Sequence, residues 1–126
     1  MEIQSNGNGY VFDFEKLDVY RKSVDFVSDV FRLTRSLPRE YQFSVADQLR
    51  RASISILNNL AEGSGKVSKK EKAQFYRTSL NSARECVPML TVLHREHQIS
   101  SAGHQTTRQT VIHIANMLGR LIASLN

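Results

Sequence analysis

The chain has one cysteine, Cys86, so an intramolecular disulfide framework is excluded. Tryptophan is absent, and the two prolines, Pro38 and Pro88, leave long stretches free of imposed breaks. No apolar run approaches the roughly 18 residues needed to span a bilayer. Acidic residues are outnumbered, 12 against 17 basic ones. The opening Met1-Glu2-Ile3-Gln4-Ser5-Asn6-Gly7-Asn8-Gly9 lacks the basic start and apolar stretch of a signal peptide. These absences predict a cytoplasmic protein with no membrane partner. What is present suits one domain: 126 residues, 40% apolar and 23% charged, enough for a single core.

Residues 1–12 are expected to form a flexible lead-in, because Gly7 and Gly9 with Asn6 and Asn8 favour turns and nothing there is periodic. Residues 13–126 are expected to form a helical bundle. Leu17, Tyr20, Val24, Val27 and Phe31 recur at helical steps and predict a first helix over about residues 15–36, with Asp13 as its cap and Pro38 as its stop. A second stripe on it, Val19, Phe26, Val30 and Leu33, makes more than half its surface apolar. The second helix is expected over about residues 45–62, capped by Ser44 and ended by a left-handed Gly63. Its apolar arc, with Ile54 and Leu57 at the margin, is wider than one bundle seam needs. Ser68-Lys69-Lys70-Glu71 is a capping box that opens the third helix, whose stripe runs from Phe75 to Leu93. Because that stripe continues past Pro88, a kink is expected there rather than an end. After a loop at residues 100–103, a fourth helix is expected over about residues 105–124. No stretch alternates with period two for long enough to predict a strand. Four helices with short links favour an all-α, up-down-up-down four-helix bundle.

Catalytic patterns are scarce. Glu62-Gly63-Ser64-Gly65-Lys66 resembles a phosphate loop, but Leu60 stands where its first glycine belongs and Val67 where Ser or Thr must follow the lysine. The segment also follows a helix and not a strand, so it reads as a helix–helix turn. His94 and His97 lie one turn apart, yet two donors fall short of a metal site, and neither a metal nor a cofactor is expected. Cys86 sits among Val87, Pro88 and Met89, apolar neighbours that oppose a reactive thiolate. The pattern predicts a protein that is not an enzyme.

The charge is concentrated. Between residues 64 and 84, Lys66, Lys69, Lys70, Lys72, Arg77 and Arg84 face Glu71 alone, which accounts for the whole net charge of +5. Such a patch attracts anions, or simply keeps a helix start soluble. Arg50-Arg51 on the second helix admits two readings as well: an ion-pair network, or phosphate binding by the guanidinium fork.

Arg50-Arg51-Ala52-Ser53-Ile54-Ser55-Ile56 followed by Asn58-Asn59-Leu60-Ala61-Glu62-Gly63 resembles the signature of the four-helix-bundle proteins encoded within 23S rRNA intervening sequences. Leu17-Asp18-Val19-Tyr20, Leu37-Pro38 with Glu40, Ser68-Lys69-Lys70-Glu71 with Phe75, and the closing run from Leu118 to Leu125 are similar to the same family. The resemblance covers about residues 14–126. It departs at Glu85-Cys86-Val87-Pro88-Met89-Leu90, where the family often has Glu-Leu-Glu-Thr-Gln-Leu, and at Asn81-Ser82, where Gly-Ser is usual. The resemblance implies a left-handed up-down bundle that associates as a homopentamer around a channel. It also implies kinship with the accessory protein of diversity-generating retroelements, which binds nucleic acid and a reverse transcriptase.

The expected function is therefore a homo-oligomeric nucleic-acid-binding protein, RNA or DNA, without strong sequence readout. Lys66, Lys69, Lys70, Lys72, Arg77 and Arg51 would contact phosphates, and Ile54, Leu57, Phe26 and Val30 would meet a neighbouring copy. The alternative is an interaction scaffold, such as an accessory subunit of a reverse transcriptase.

Overall fold

A computed structural model of the chain describes residues 3–5 and 9–126. Its class is all-α: four long helices, α1 (Asp18–Arg35), α3 (Val45–Ser64), α4 (Lys69–Arg95) and α5 (Ser101–Ala123), with a single-turn α2 (Arg39–Gln42) in the first link. Of these, α3 packs most extensively on α4, α4 then on α5, α1 on α3, and α1 least on α5. One hydrophobic cluster runs through all four. It holds Phe26 and Val30 from α1, Leu49, Ile56 and Leu60 from α3, Cys86, Leu90 and Leu93 from α4, and Ile114 and Leu118 from α5. Each large apolar side chain buried there contributes about 1.5–3 kcal/mol.

The seam between α3 and α4 is lined by small residues and hydroxyls. Ser79 Oγ donates to the Ile56 carbonyl at 2.8 Å, and Ser55 and Ser82 share a hydrogen bond at 2.8 Å. The Tyr76 and Ser64 hydroxyls lie 3.2 Å apart. These partners advance along α4 as they retreat along α3, so this pair of helices is antiparallel. Burying a hydroxyl is tolerable only because each finds an acceptor.

Several sequence expectations change in detail. The lead-in contains a strand pair that no periodicity announced: β1 (Ile3–Ser5) runs antiparallel to β2 (Tyr10–Phe12), with Ile3 opposite Phe12 and Ser5 opposite Tyr10. The other lead-in positions apart from Gly9 lie outside the described residues. Asp13 does not cap α1. It opens a 3-10 turn (Asp13–Lys16), which leaves Leu17 at the start of α1 with no side-chain cap. Ser44 does not cap α3 either. Its hydroxyl donates backwards to the carbonyls of Glu40 and Tyr41, which the short α2 brings within reach. Gly63 lies inside α3, buried, and the helix ends at Gly65, whose φ of −81° is right-handed. A Cβ at Gly63 would stand 2.8 Å from Tyr76 Cε1, so this glycine serves close packing and not a left-handed turn. The loop expected at residues 100–103 is largely the first turn of α5, because Ser100 Oγ accepts from the Gly103 amide at 2.9 Å and caps the helix.

Two expectations about α4 hold, its serine cap and its passage through the proline. Ser68 Oγ accepts from the Glu71 amide at 3.0 Å and caps α4. Helix α4 then continues through Pro88 to Arg95 without ending.

Candidate functional site

The turn between α3 and α4 gathers four lysines, and the structure gives them two different tasks. Lys72 Nζ donates to the Ser64 carbonyl at 2.9 Å, so it caps the last turn of α3, where the helix dipole favours a cation. Lys66 Nζ lies 3.6 Å from Glu62 Oε2 and 5.3 Å from the centre of the Phe75 ring. Lys69 and Lys70 are exposed in the first turn of α4 and form no ion pair among the described residues. A cation at a helix N-terminus opposes the macrodipole, at a cost of about 0.3–1 kcal/mol each. Glu71 is the one acid in that turn and is engaged with Ser68.

The solvent face of α4 extends this surface. Lys70, Arg77 and Arg84 are exposed at seven-residue steps, two helical turns apart, and stay on nearly the same side of the helix. They cover about 20 Å of its length. Elsewhere several surface cations are neutralised locally: Arg21 by Asp18, Arg32 by Asp29, and Arg51 by Asp47 at 2.9 Å. The α4 stripe lacks such partners among the described residues. Arg84 thus joins the candidate site; the sequence placed it in the basic segment, and its seven-residue spacing from Lys70 and Arg77 is the signal that could have put it on their face.

Arg51 does not join it. It sits about 20 Å from the lysine turn along α3, in a groove with Glu85, Pro88 and Met89. Arg50 is half-buried and committed to the corner between α1 and α3. It donates to Gln42 Oε1 at 3.2 Å and to the Gln42 carbonyl at 2.9 Å, while the Gln42 amide reaches the Thr34 and Leu37 carbonyls. The local network is therefore the reading that the structure supports for both arginines.

The four residues assigned to a subunit interface separate into two pairs. Phe26 and Val30 are 1% and 0% exposed inside the single chain, so they are core and present nothing to a neighbour. The Phe26 stripe of α1 is consumed within the bundle, while Val24 stays 36% exposed and Val27 and Phe31 remain half-buried outside the core cluster. Ile54 and Leu57 remain half-buried and outside the core cluster.

The remaining reactive side chains have structural settings. Burial pushes the Cys86 thiol up to about 12, with Glu85 adding to the effect, so no thiolate is available near neutrality. His94 does not pair with His97. Its ring stacks on His104, with centres 4.5 Å apart and planes at 14°, and its Nε2 meets Ser101 Oγ at 3.1 Å. Parallel stacked rings do not converge their nitrogens on one ion. His104 was invisible to spacing arguments because it comes from the next helix. His97 adopts a left-handed φ of 58° and closes α4 with two hydrogen bonds, His97 N to the His94 carbonyl and Gln98 N to the Leu93 carbonyl. That is a Schellman motif with histidine in the usual glycine position. Among the described residues no helix is long and apolar enough to cross a membrane.

A helical bundle with a cationic helix face and an inert thiol is the class of protein that fold and surface define. The chain belongs to the 23S rRNA-intervening sequence protein family, whose model matches residues 15–120. Its fold is similar to the crystal structure of a Bacteroides thetaiotaomicron protein of unknown function from the S23 ribosomal protein family. The TM-score is 0.77 at 24% identity, covering 83% of this chain and 95% of that one. No curated protein sequence matches the chain.

Proposed function

We propose that this chain is a non-enzymatic, homo-oligomeric protein that binds nucleic-acid phosphates through the solvent face of α4 and the turn before it. One observation carries the reading: Lys69 and Lys70 occupy the helix end where cations are least stable, exposed and without acidic partners among the described residues. A polyanion lying along Lys70, Arg77 and Arg84 offsets that cost, and a row of cations on one helix face suits a backbone better than a point charge. Nothing in this surface reads base edges, so affinity follows charge and salt and not sequence.

In this reading the bundle is wound up-down-up-down with a left hand, it works in the cytoplasm, and copies associate, as a pentamer by the family resemblance. Ile54 and Leu57 on α3 remain available for that contact, as do Val24, Val27 and Phe31 on α1, and association multiplies the basic faces presented to one strand. Replacing both lysines, Lys69→Glu with Lys70→Glu, weakens binding to a structured RNA by about tenfold or more at low salt. The helical circular dichroism stays unchanged, because both side chains are exposed. Unchanged affinity in that variant contradicts the proposal. A light-scattering mass equal to one subunit contradicts the assembly. Protein partners that survive nuclease digestion mark the scaffold role instead, with a reverse transcriptase as the partner that the resemblance implies.

A further inference from the structure

A second surface feature lies next to the lysine turn. The 3-10 turn and the C-terminal half of α3 flank an open groove of about 600 Å³. Its walls combine three chemistries. Phe12 and Phe14 are half-buried and stacked on each other, with centres 5.5 Å apart and planes at 19°, and Tyr20 braces Phe14 edge-on at 5.1 Å. The Phe12 amide is tied to Glu15 Oε1 at 2.9 Å, which holds the aromatic pair in place. Facing them, Asn58 is exposed and its carboxamide has no hydrogen bond among the described residues. Asn59 is anchored by its nitrogen to Ser55, so its carbonyl oxygen keeps acceptor capacity. Lys66 stands at the rim. Its 3.6 Å separation from Glu62 is longer than a charge-assisted hydrogen bond, so the ammonium can exchange to another anion.

We infer that this groove receives an unpaired nucleobase of a single strand. The base stacks against the Phe12–Phe14 pair, its edge meets the Asn58 and Asn59 carboxamides, and its phosphate takes the Lys66 ammonium. An aromatic platform, amide groups that donate and accept, and an adjacent cation are the set that single-stranded nucleic acids use. A duplex keeps its bases stacked and cannot fill such a site. A lipid surface has no use for the amides. The groove is also continuous with the turn that carries Lys69 and Lys70, so the strand can run from the base site onto α4. This inference rests on the phosphate-binding reading and adds a preference for single strands.

The test compares a short single-stranded RNA with a blunt duplex of the same sequence by fluorescence polarisation. Phe12→Leu is expected to weaken single-strand binding by about fivefold or more and to leave duplex binding unchanged. Asn58→Ala, on an exposed helical position where alanine cannot unfold the chain, is expected to weaken the single strand by about twofold to fivefold. Single strand and duplex bound alike, with no effect of either substitution, overturns the base site and leaves the phosphate reading standing. Equal losses for both nucleic acids in Phe12→Leu also overturn it, as does a lower light-scattering mass in that variant, which assigns the groove to a second copy. Failure of the unmodified chain to bind either nucleic acid overturns both readings at once.

Discussion

The turn that enters α4 and the turn that leaves it are built from different chemistries. At the entrance Gly63 lets the Tyr76 ring lie against the α3 backbone, a serine caps the helix, and permanent cations crowd its first turn. At the exit His97 takes a left-handed backbone that glycine would adopt more cheaply, and the neighbouring ionisable rings are the stacked His94 and His104. The entrance is tightly packed beneath a charge that does not vary near neutrality. The exit accepts local strain and holds an imidazole, His104, whose proton affinity is lowered by its surroundings. Where packing is closest, the protein places the cations that oppose its own helix dipole, which is what a binding surface on a rigid support requires.

Substitution at Gly63 is the most severe way to break that contrast. Gly63→Ala places a methyl group 2.8–2.9 Å from two carbons of a Tyr76 ring that is itself 4% exposed. Chemical denaturation is expected to show a loss of about 1–3 kcal/mol, despite alanine's better helix propensity. No loss would mean that the seam is looser than described. A smaller effect is expected at the other turn, and it depends on pH. Desolvation, then the His94 ring and Arg108, hold the His104 imidazole below its ordinary value. As pH falls through about 6.5, the unfolded chain therefore takes up this proton before the folded one, and stability declines; above that pH the group contributes nothing. Thermal melts at about pH 7.5 and 5.5 should show this decline, and His104→Asn should reduce it. The smallest effect belongs to His97→Gly, which removes the left-handed penalty on an exposed residue and is expected to stabilise by about 0.5–1 kcal/mol in the same denaturation experiment.

Features governed by a few consecutive residues were legible in the sequence. Ser68 and Glu71 are three positions apart and need no other partner, so the cap on α4 was plain. The four long helices followed from periodicity, because each side-chain stripe is set by its own backbone. Where a second segment decides the outcome, the reading changed. Asp13 and Ser44 are good caps in isolation, but the 3-10 turn and α2 supply nearer structure. Gly63 looked like a terminator because nothing local reveals Tyr76 lying across it. Phe26 and Val30 were correctly read as apolar, but periodicity cannot say whether a face meets another helix of the same chain or another copy. In the candidate site, Lys69, Lys70 and Arg77 were legible as exposed cations. The capping task of Lys72 and the separation of Arg51 depend on how α3 and α4 dock. Most of the groove beside Phe12 was also out of reach, since its walls come from residues about 45 positions apart in the chain and meet only in the fold.

The central claim is that phosphates bind along Lys69, Lys70, Arg77 and Arg84. Its most direct measurement is the affinity for a single-stranded RNA across a range of salt concentrations. The four cations of α4 contribute about −3 to the slope of log K against log salt, and Lys69→Glu with Lys70→Glu removes about half of that contribution. An affinity that ignores salt, or a slope untouched by that double substitution, contradicts the account.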